Sequence, residues 1–175
     1  LEYRKLLTGR RIVGAEGYGA FVDILLDDDV HLLLSDGVNL RLYTSEAGIP
    51  AKYQLLVTLD DERFLVFTVA MYGGILAFRG DFENPYYRGA KTKYSPLDAE
   101  FDTGYFRSLL AGAKPNLSAK AFLATEQRIP GLGNGVLQDI LFRAGIHPKR
   151  KLATLDEEDA ERLFRTVKSL SLIHI

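Results

Sequence analysis

The sequence predicts an α+β protein in which an antiparallel β-sandwich is followed by a helical domain. Two observations lead to this prediction. Up to residue 82, short runs rich in β-branched and aromatic residues alternate with turn-forming residues, as in sandwiches and barrels. Beyond residue 82 this alternation stops and apolar residues recur at helical spacing. We therefore predict a β-sandwich domain over residues 1–82, a linker over 83–100 and a helical domain over 101–175.

Turn-forming residues separate the predicted strands. The acidic segments 26–29 and 59–63 are typical of hairpin loops, and Ser35-Asp36-Gly37 is typical of another tight connection. Residues 1–7 have the pattern of the last turns of a helix, with Gly9 near its C-terminal cap. The predicted strands cover residues 11–14, 21–26, 30–34, 38–43, 53–59, 64–69 and 74–78.

Four helices are predicted in the second part of the chain, over residues 102–111, 118–125, 135–144 and 155–170. The last of them carries an apolar stripe, which is typical of a helix that packs on a core. Thr154 and Glu157 have the spacing of a capping box at its start.

The composition favours a soluble globular protein without a bound metal. Of the 175 residues 47% are hydrophobic, and no apolar run approaches the ~20 residues that span a bilayer. The chain has no cysteine, which excludes disulfides and thiolate metal sites within it and agrees with a cytosolic protein. His31, His147 and His174 lack metal-ligand spacing, and the three carboxylates at 27–29 favour a solvated turn over a cation site.

Positive charge is concentrated in one segment. The formal net charge is −1, yet residues 114–151 contain seven basic and two acidic residues. This distribution suits phosphate contacts with a nucleic acid, although a solvated cationic face would have the same composition.

The most informative motif is Gly131-Leu132-Gly133-Asn134, where a predicted helix begins. Because Gly131 and Gly133 lack Cβ, the backbone there can take left-handed angles and come close to a ligand. The free amides of a helix start attract anions, and Asn134 adds a side-chain amide. The motif therefore predicts a phosphate site, with a tight turn between packed helices as the alternative.

A longer window carries a resemblance to a known family. Residues 117–127, the glycine motif and the segment 141–148 (Leu-Phe-Arg-Ala-Gly-Ile-His-Pro) closely resemble the helix-two-turns-helix element of the formamidopyrimidine-DNA glycosylase and endonuclease VIII family of base-excision repair enzymes. The resemblance implies that Gly133 and Asn134 hold the phosphate backbone of damaged DNA, with Lys120 as a further contact. It also places Arg128 and Gly131 in the DNA-binding set.

The same resemblance implies an activity and a partner. The implied reaction is hydrolysis of the N-glycosidic bond of a damaged base, followed by β-elimination at the abasic site. The expected partner is damaged double-stranded DNA, bound by a monomer in the bacterial cytoplasm or nucleoid, with no membrane involved. No cofactor is expected in this chain, whereas zinc would belong to a C-terminal finger of the kind that the family usually carries.

Several residues of the family pattern are substituted or absent, so no catalytic residue is assigned. The family's nucleophile, an N-terminal proline beside a glutamate, has no counterpart in residues 1–5. Its hairpin lysine aligns with Ala20, and a methionine that fills the gap of an extruded base aligns with Ser35. Its Arg-Phe wedge aligns with Met71 and Tyr72, which could fill a void or stack on bases, with a core position as the alternative.

We therefore expect this chain to be an inactive fragment of a longer DNA glycosylase with AP lyase activity. The sequence does not indicate which damaged base is removed, or whether residues 171–175 belong to the native protein. A non-catalytic protein that binds DNA structures on the same scaffold is the alternative. RNA binding through the same helical turn is a further one, which the β-rich first half disfavours.

Overall fold

The computed structural model describes residues 2–173, which divide into two compact units. The first unit comprises the chain up to Gly17 together with Phe21–Phe82, and the second comprises Tyr18–Ala20 together with the chain from Glu83 onward. The predicted fold class, a β-sandwich followed by a helical domain, is confirmed. Within residues 2–173, no helix is long and apolar enough to cross a membrane.

The first unit contains a short helix and seven strands, except that Tyr18, the last residue of β1, belongs to the second unit. They are α1 (Glu2–Leu7), β1 (Ile12–Tyr18), β2 (Phe21–Leu26), β3 (Val30–Ser35), β4 (Val38–Tyr43), β5 (Leu55–Thr58), β6 (Phe64–Val69) and β7 (Ile75–Arg79), with a 3-10 helix at Glu46–Gly48. One sheet has the order β1-β2-β3-β7 and the other has the order β4-β6-β5. The pairs β2–β3, β3–β7, β4–β6 and β5–β6 are antiparallel.

The core of this unit lies between its two sheets. Leu26 pairs with Val30 across the β2–β3 hairpin, and alternate residues of both strands face inward. Phe67 of β6 is fully buried among them. The hairpin turns at Asp28 and Asp29, whose φ values of 55° and 58° suit an aspartate better than a β-branched residue. Arg10 pairs with Asp27 and Asp28 at this turn.

The strand predictions are largely confirmed. Strands β2, β4 and β6 begin and end at the predicted residues. Strand β1 continues to Tyr18 instead of ending at 14, and Gly14 and Gly17 therefore lie within an edge strand. Strand β5 is shorter than predicted, covering Leu55–Thr58.

The second unit is helical. It contains α2 (Pro85–Thr92), α3 (Thr103–Gly112), α4 (Ala119–Ala124), α5 (Asn134–Arg143) and α6 (Glu157–Ile173), with a 3-10 helix at Leu152–Thr154. Phe106, Phe122, Leu137, Ile140 and Leu163 are among the residues that form its buried core. The apolar stripe of α6 faces this core through Leu163, Val167 and Leu170.

Helix α2 occupies part of the segment where the sequence predicted an irregular linker. Its N-cap is Asn84, whose side chain accepts hydrogen bonds from the amides of Tyr86 and Tyr87. Pro85 occupies the first helical position, where its missing N–H costs nothing. The Asn84-Pro85 pair therefore starts a helix within the predicted linker.

The start of α6 also differs from the prediction. The Thr154 hydroxyl donates to Lys151 O within the preceding 3-10 turn and does not cap the helix. Instead, Asp156 and Asp159 form a reciprocal capping box, in which Asp159 N donates to Asp156 Oδ1 at 2.8 Å and Asp156 N donates to Asp159 Oδ2 at 3.3 Å.

Candidate nucleic-acid interface

Two successive tight turns connect α4 to α5. In the first, Arg128 N donates to Thr125 O at 3.5 Å, and in the second, Leu132 N donates to Ile129 O at 3.4 Å. Glu126, Gln127 and Gly131 have positive φ values of 62°, 45° and 81°. Ile129 is buried in the helical core and anchors the connection. The chain therefore reverses direction twice, and the two turns determine the position of the α5 start.

The start of α5 is exposed and uncapped. Gly133 is its N-cap residue and offers no side-chain hydrogen bond. Leu137 N donates to Gly133 O at 3.1 Å, so the amides of Asn134, Gly135 and Val136 have no acceptor within the helix. Gly133, Asn134 and Gly135 are all exposed. These amides and the helix dipole together suit an anion.

The two glycines of the motif have different reasons to be glycine. Gly131 has the expected left-handed backbone, whereas Gly133 has φ −79° and ψ 159°, which any residue adopts. The left-handed freedom of glycine is therefore used at Gly131 and not at Gly133. A Cβ built on Gly133 meets nothing within 4 Å, so neither backbone angle nor packing requires glycine there. A ligand that comes close to the backbone at Gly133 would require the absence of a side chain there.

The Arg128 side chain bonds to residues of the first turn. Its Nη1 donates to Thr125 O at 3.1 Å and to Thr125 Oγ1 at 2.9 Å, and its Nη2 pairs with Glu126. The guanidinium also lies 6.0 Å from the centre of the Phe122 ring. Its contacts hold the turn together, and it adds positive charge near the α5 start without being a free donor.

The basic segment contains both engaged and free cations. Arg150 pairs with buried Asp159 and donates to Thr154 O at 2.7 Å, while Lys151 Nζ donates to Asn116 O at 2.8 Å. Within residues 2–173, four side chains of this segment have no hydrogen-bond or ion-pair partner. They are Lys114, Lys120, Arg143 and Lys149.

Lys120 lies at the start of α4, where a short backbone pairing joins two parts of the segment. Lys120 N donates to Pro148 O at 3.0 Å, and Ala119 N donates to Arg150 O at 2.8 Å. Lys120 and Lys149 are both exposed. The pairing therefore places two free ammonium groups on neighbouring stretches of backbone.

Lys93 is a residue of this region that the sequence did not point to. Its Nζ donates to Glu126 O at 2.7 Å, so it supports the left-handed first turn. Burial, and then the charge of Arg128, lower the pKa of Lys93 below its ordinary value. No sequence motif marks this contact, because the two residues are 33 positions apart.

Similarity to known proteins covers nearly the whole chain. Residues 94–172 match the family described as formamidopyrimidine-DNA glycosylase H2TH domain. The formamidopyrimidine-DNA glycosylase of Carboxydothermus hydrogenoformans is 28% identical over 180 residues, which align 99% of this chain with 62% of that protein. The chain is therefore similar to the formamidopyrimidine-DNA glycosylases over nearly its whole length. It spans about three fifths of the length of the curated relatives it matches.

Solved structures of this glycosylase family share the fold. The formamidopyrimidine-DNA glycosylase of Thermus thermophilus has a TM-score of 0.76 at 28% identity, over 96% of this chain and 62% of that chain. The Lactococcus lactis glycosylase, solved with DNA that contains an AP site, has a TM-score of 0.80 at 25% identity, over 98% of this chain and 66% of its own.

In this chain, two loops of the sandwich unit interlock and present Met71 and Tyr72. Ala70 N donates to Gly37 O at 2.8 Å, and a Cβ on Gly37 would lie only 2.3 Å from Met71 O. The side chains of Met71 and Tyr72 are 70% and 95% exposed, which excludes the core position that was the alternative. Tyr72 has φ 60°, a strained angle for a bulky residue that the interlock maintains.

Ser35, which aligns with the family's void-filling methionine, forms hydrogen bonds with the backbone of Gly74. Its Oγ accepts a hydrogen bond from Gly74 N at 2.7 Å, and its own amide donates to Gly74 O at 2.9 Å. The hydroxyl thus holds the two loops together and is not available to fill a gap between bases. Ala20 is exposed on the β1–β2 hairpin and carries no charge.

Proposed function

We propose that this chain is the DNA-binding part of a base-excision repair glycosylase, which grips the phosphate backbone of damaged duplex DNA at the start of α5. The observation that carries the proposal is the exposed, uncapped helix start behind a glycine that the fold does not require. Asn134 adds an amide side chain there, and Lys120 adds an unpaired ammonium group on α4. Gly131 shapes the turn, and Arg128 holds it.

The parent protein is proposed to be a DNA glycosylase with AP lyase activity. Hydrolysis would consume one water and break the bond between the damaged base and C1′. Elimination would then remove a C2′ proton and break the 3′ C–O bond. The glycosylases named above, to which this chain is similar, support the glycosylase part of this proposal. Such an enzyme would work on chromosomal DNA in the bacterial cytoplasm, and any zinc finger with cysteine ligands would lie outside these 175 residues, which contain no cysteine.

Met71 and Tyr72 support a second part of the proposal. A rigid loop that holds an exposed phenol and thioether can stack on bases or fill a void without reading hydrogen-bonding edges. The partner expected from this surface is a duplex with a missing, flipped or damaged base.

The first test replaces Asn134. Asn134→Ala should weaken binding to a labelled duplex with a tetrahydrofuran abasic-site analogue by about 1–3 kcal/mol, because a hydrogen bond to a charged phosphate is lost. Fluorescence anisotropy titration measures this change. Asn116→Ala is the matched control, since it removes another exposed amide of the same unit. Equal affinities of Asn134→Ala and wild type, at equal thermal stability, would contradict the phosphate role.

A non-catalytic DNA-structure-binding protein is the second candidate, favoured by Ala20 and by the internal use of the Ser35 hydroxyl. The two candidates differ in the whole protein, in which borohydride trapping on an abasic-site duplex distinguishes them. A covalent protein–DNA adduct supports the enzyme, and tight binding without an adduct or strand cleavage supports the binder.

A further inference from the structure

The tip of the β1–β2 hairpin touches the second of the two turns. Gly19 at this tip has φ 58°, and its backbone lies directly against Gly131. A Cβ on Gly19 would lie 2.8 Å from Gly131 N and 3.0 Å from Pro130 Cβ, while a Cβ on Gly131 would lie 3.3 Å from Gly19 Cα. Only two glycines permit this approach.

Aromatic contacts hold the tip in place. The Tyr18 ring lies edge-on to the buried Tyr87 ring of α2, with centroids 6.2 Å apart. Lys91 Nζ lies 5.1 Å from the centre of each ring and donates to Tyr87 Oη at 3.3 Å. Cation–π contacts of this kind add to ring packing. The tip is therefore fixed to α2 as well as to the turn.

Helix α2 in turn supports the first turn. A Cβ on Gly89 would lie 3.7 Å from Gln127 Cβ, and Lys93, which caps the end of α2, donates to Glu126 O at 2.7 Å. The hairpin tip, α2 and the two turns thus form a closed set of contacts within one compact unit. The α5 start follows directly after this set.

We propose that the hairpin tip is a positioning element of the phosphate site, in which Gly19 fixes Gly131 and thereby the amides of Asn134, Gly135 and Val136. This inference rests on the proposed DNA-binding function. Gly19 is not proposed to touch DNA itself. It acts because its missing Cβ lets the second turn close against the tip.

The test is Gly19→Asn, since asparagine tolerates left-handed angles better than most residues and adds a Cβ at the contact. The matched control is Gly145→Asn, because Gly145 has φ 66° and no atom within 4 Å of a built Cβ. We expect Gly19→Asn to bind the abasic-analogue duplex about tenfold more weakly, with a salt slope lower by about one phosphate contact. Gly145→Asn should keep the wild-type affinity and slope.

The salt slope separates positioning from general damage. Partial unfolding lowers the amount of active protein but leaves the slope of the remaining binding unchanged, whereas a displaced phosphate site loses a contact. Wild-type affinity and slope in Gly19→Asn would overturn the proposal. If wild type itself does not bind duplex DNA, the proposed function fails. The positioning claim is then tested in the free protein by the amide NMR signals of Gly131, Gly133 and Gly135, which must shift in Gly19→Asn and stay in place in Gly145→Asn.

A second variant covers the case in which Gly19→Asn does not fold. Tyr18→Leu introduces no clash but removes the ring contacts with Tyr87 and Lys91. It should shift the same three amide signals and weaken binding a few-fold. Unchanged signals in Tyr18→Leu would overturn the role of the tip.

Discussion

At the scale of single residues, the glycines of the phosphate motif show why residue type alone does not reveal a role. Position 131 requires a glycine because its backbone is left-handed and because it lies against Gly19. Gly133 is required by neither, because its backbone is extended and its surroundings are open. Arg128 is likewise ambiguous in sequence and becomes a turn-holding residue only once its hydrogen bonds to Thr125 are seen.

The contrast at Gly133 gives a prediction in which stability and binding move in opposite directions. Gly133→Asp should stabilise the fold by a few tenths of a kcal/mol to about 1 kcal/mol, because an aspartate N-cap accepts hydrogen bonds from the α5 amides and suits the helix dipole. The same carboxylate would occupy the phosphate position and repel DNA, so duplex binding should fall at least tenfold. Thermal melting and anisotropy titration measure the two effects.

The control for this prediction is Gly112→Asp. Gly112 has an unstrained backbone and open space around a built Cβ. The Gly112→Asp substitution therefore adds the same charge elsewhere in the helical unit. If both variants reduced DNA binding equally, net charge and not the α5 start would be the cause.

At the scale of elements, helix ends decide the geometry of the helical unit. Helix α5 ends in a Schellman motif, in which Ile146 N donates to Leu141 O at 2.9 Å and Gly145 N donates to Phe142 O at 3.1 Å. Helix α6 begins with the Asp156–Asp159 box, and Asp159 also pairs with Arg150 and Arg162. Asp159 therefore joins α6 to the basic segment.

Asp159 predicts an acid-sensitive step in stability. Burial by itself would raise its pKa, but hydrogen bonds from Arg150 and the Asp156 amide, with the charges of Arg150 and Arg162, hold it below its ordinary value of 3.8. A lowered pKa in the folded state stabilises the fold above the ordinary value, and this stabilisation is lost as the pH falls through the folded value. The free energy of unfolding should therefore decline below about pH 4.

The variant that checks this is Asp159→Asn. It should lose about 2 kcal/mol of unfolding free energy near neutral pH, because hydrogen bonds between charged groups are replaced. The difference from wild type should shrink in acid, as followed by urea denaturation over a pH series. Glu161→Gln is the control, since its exposed pair with Arg165 is worth less than about 1 kcal/mol. A difference for Asp159→Asn that is independent of pH would contradict the ionic role.

At the scale of the whole molecule, the charge distribution matters more than the net charge. The formal net charge of −1 gives no general attraction to DNA, so affinity depends on the free cations of residues 114–151. Four of these have no partner within residues 2–173, and the others stabilise turns and helix ends. Binding should therefore depend on salt with a slope that reflects a few phosphate contacts.

Lys120→Ala should weaken duplex binding for every DNA sequence and lower the salt slope by about one. Lys52→Ala removes an exposed lysine outside the segment and serves as the control. Affinities measured over a series of KCl concentrations, with two unrelated duplexes, give both quantities. A sequence-dependent loss, or an equal loss in Lys52→Ala, would contradict a direct phosphate contact.

The sequence by itself determined the α+β class, the bounds of β2, β4 and β6 and the resemblance to the glycosylase family, because alternation, turn residues and the glycine motif act over a few neighbouring positions. It missed α2 by assigning residues 83–100 to a linker, and it placed the α6 capping box two residues too early. Only the tertiary structure showed that the fold requires glycine at 131 and not at 133, and which cations lack a partner. It also showed that Gly19 and Lys93 support the two turns. These contacts join residues far apart in the chain, and the sterics and hydrogen bonds between such residues leave no local pattern to read.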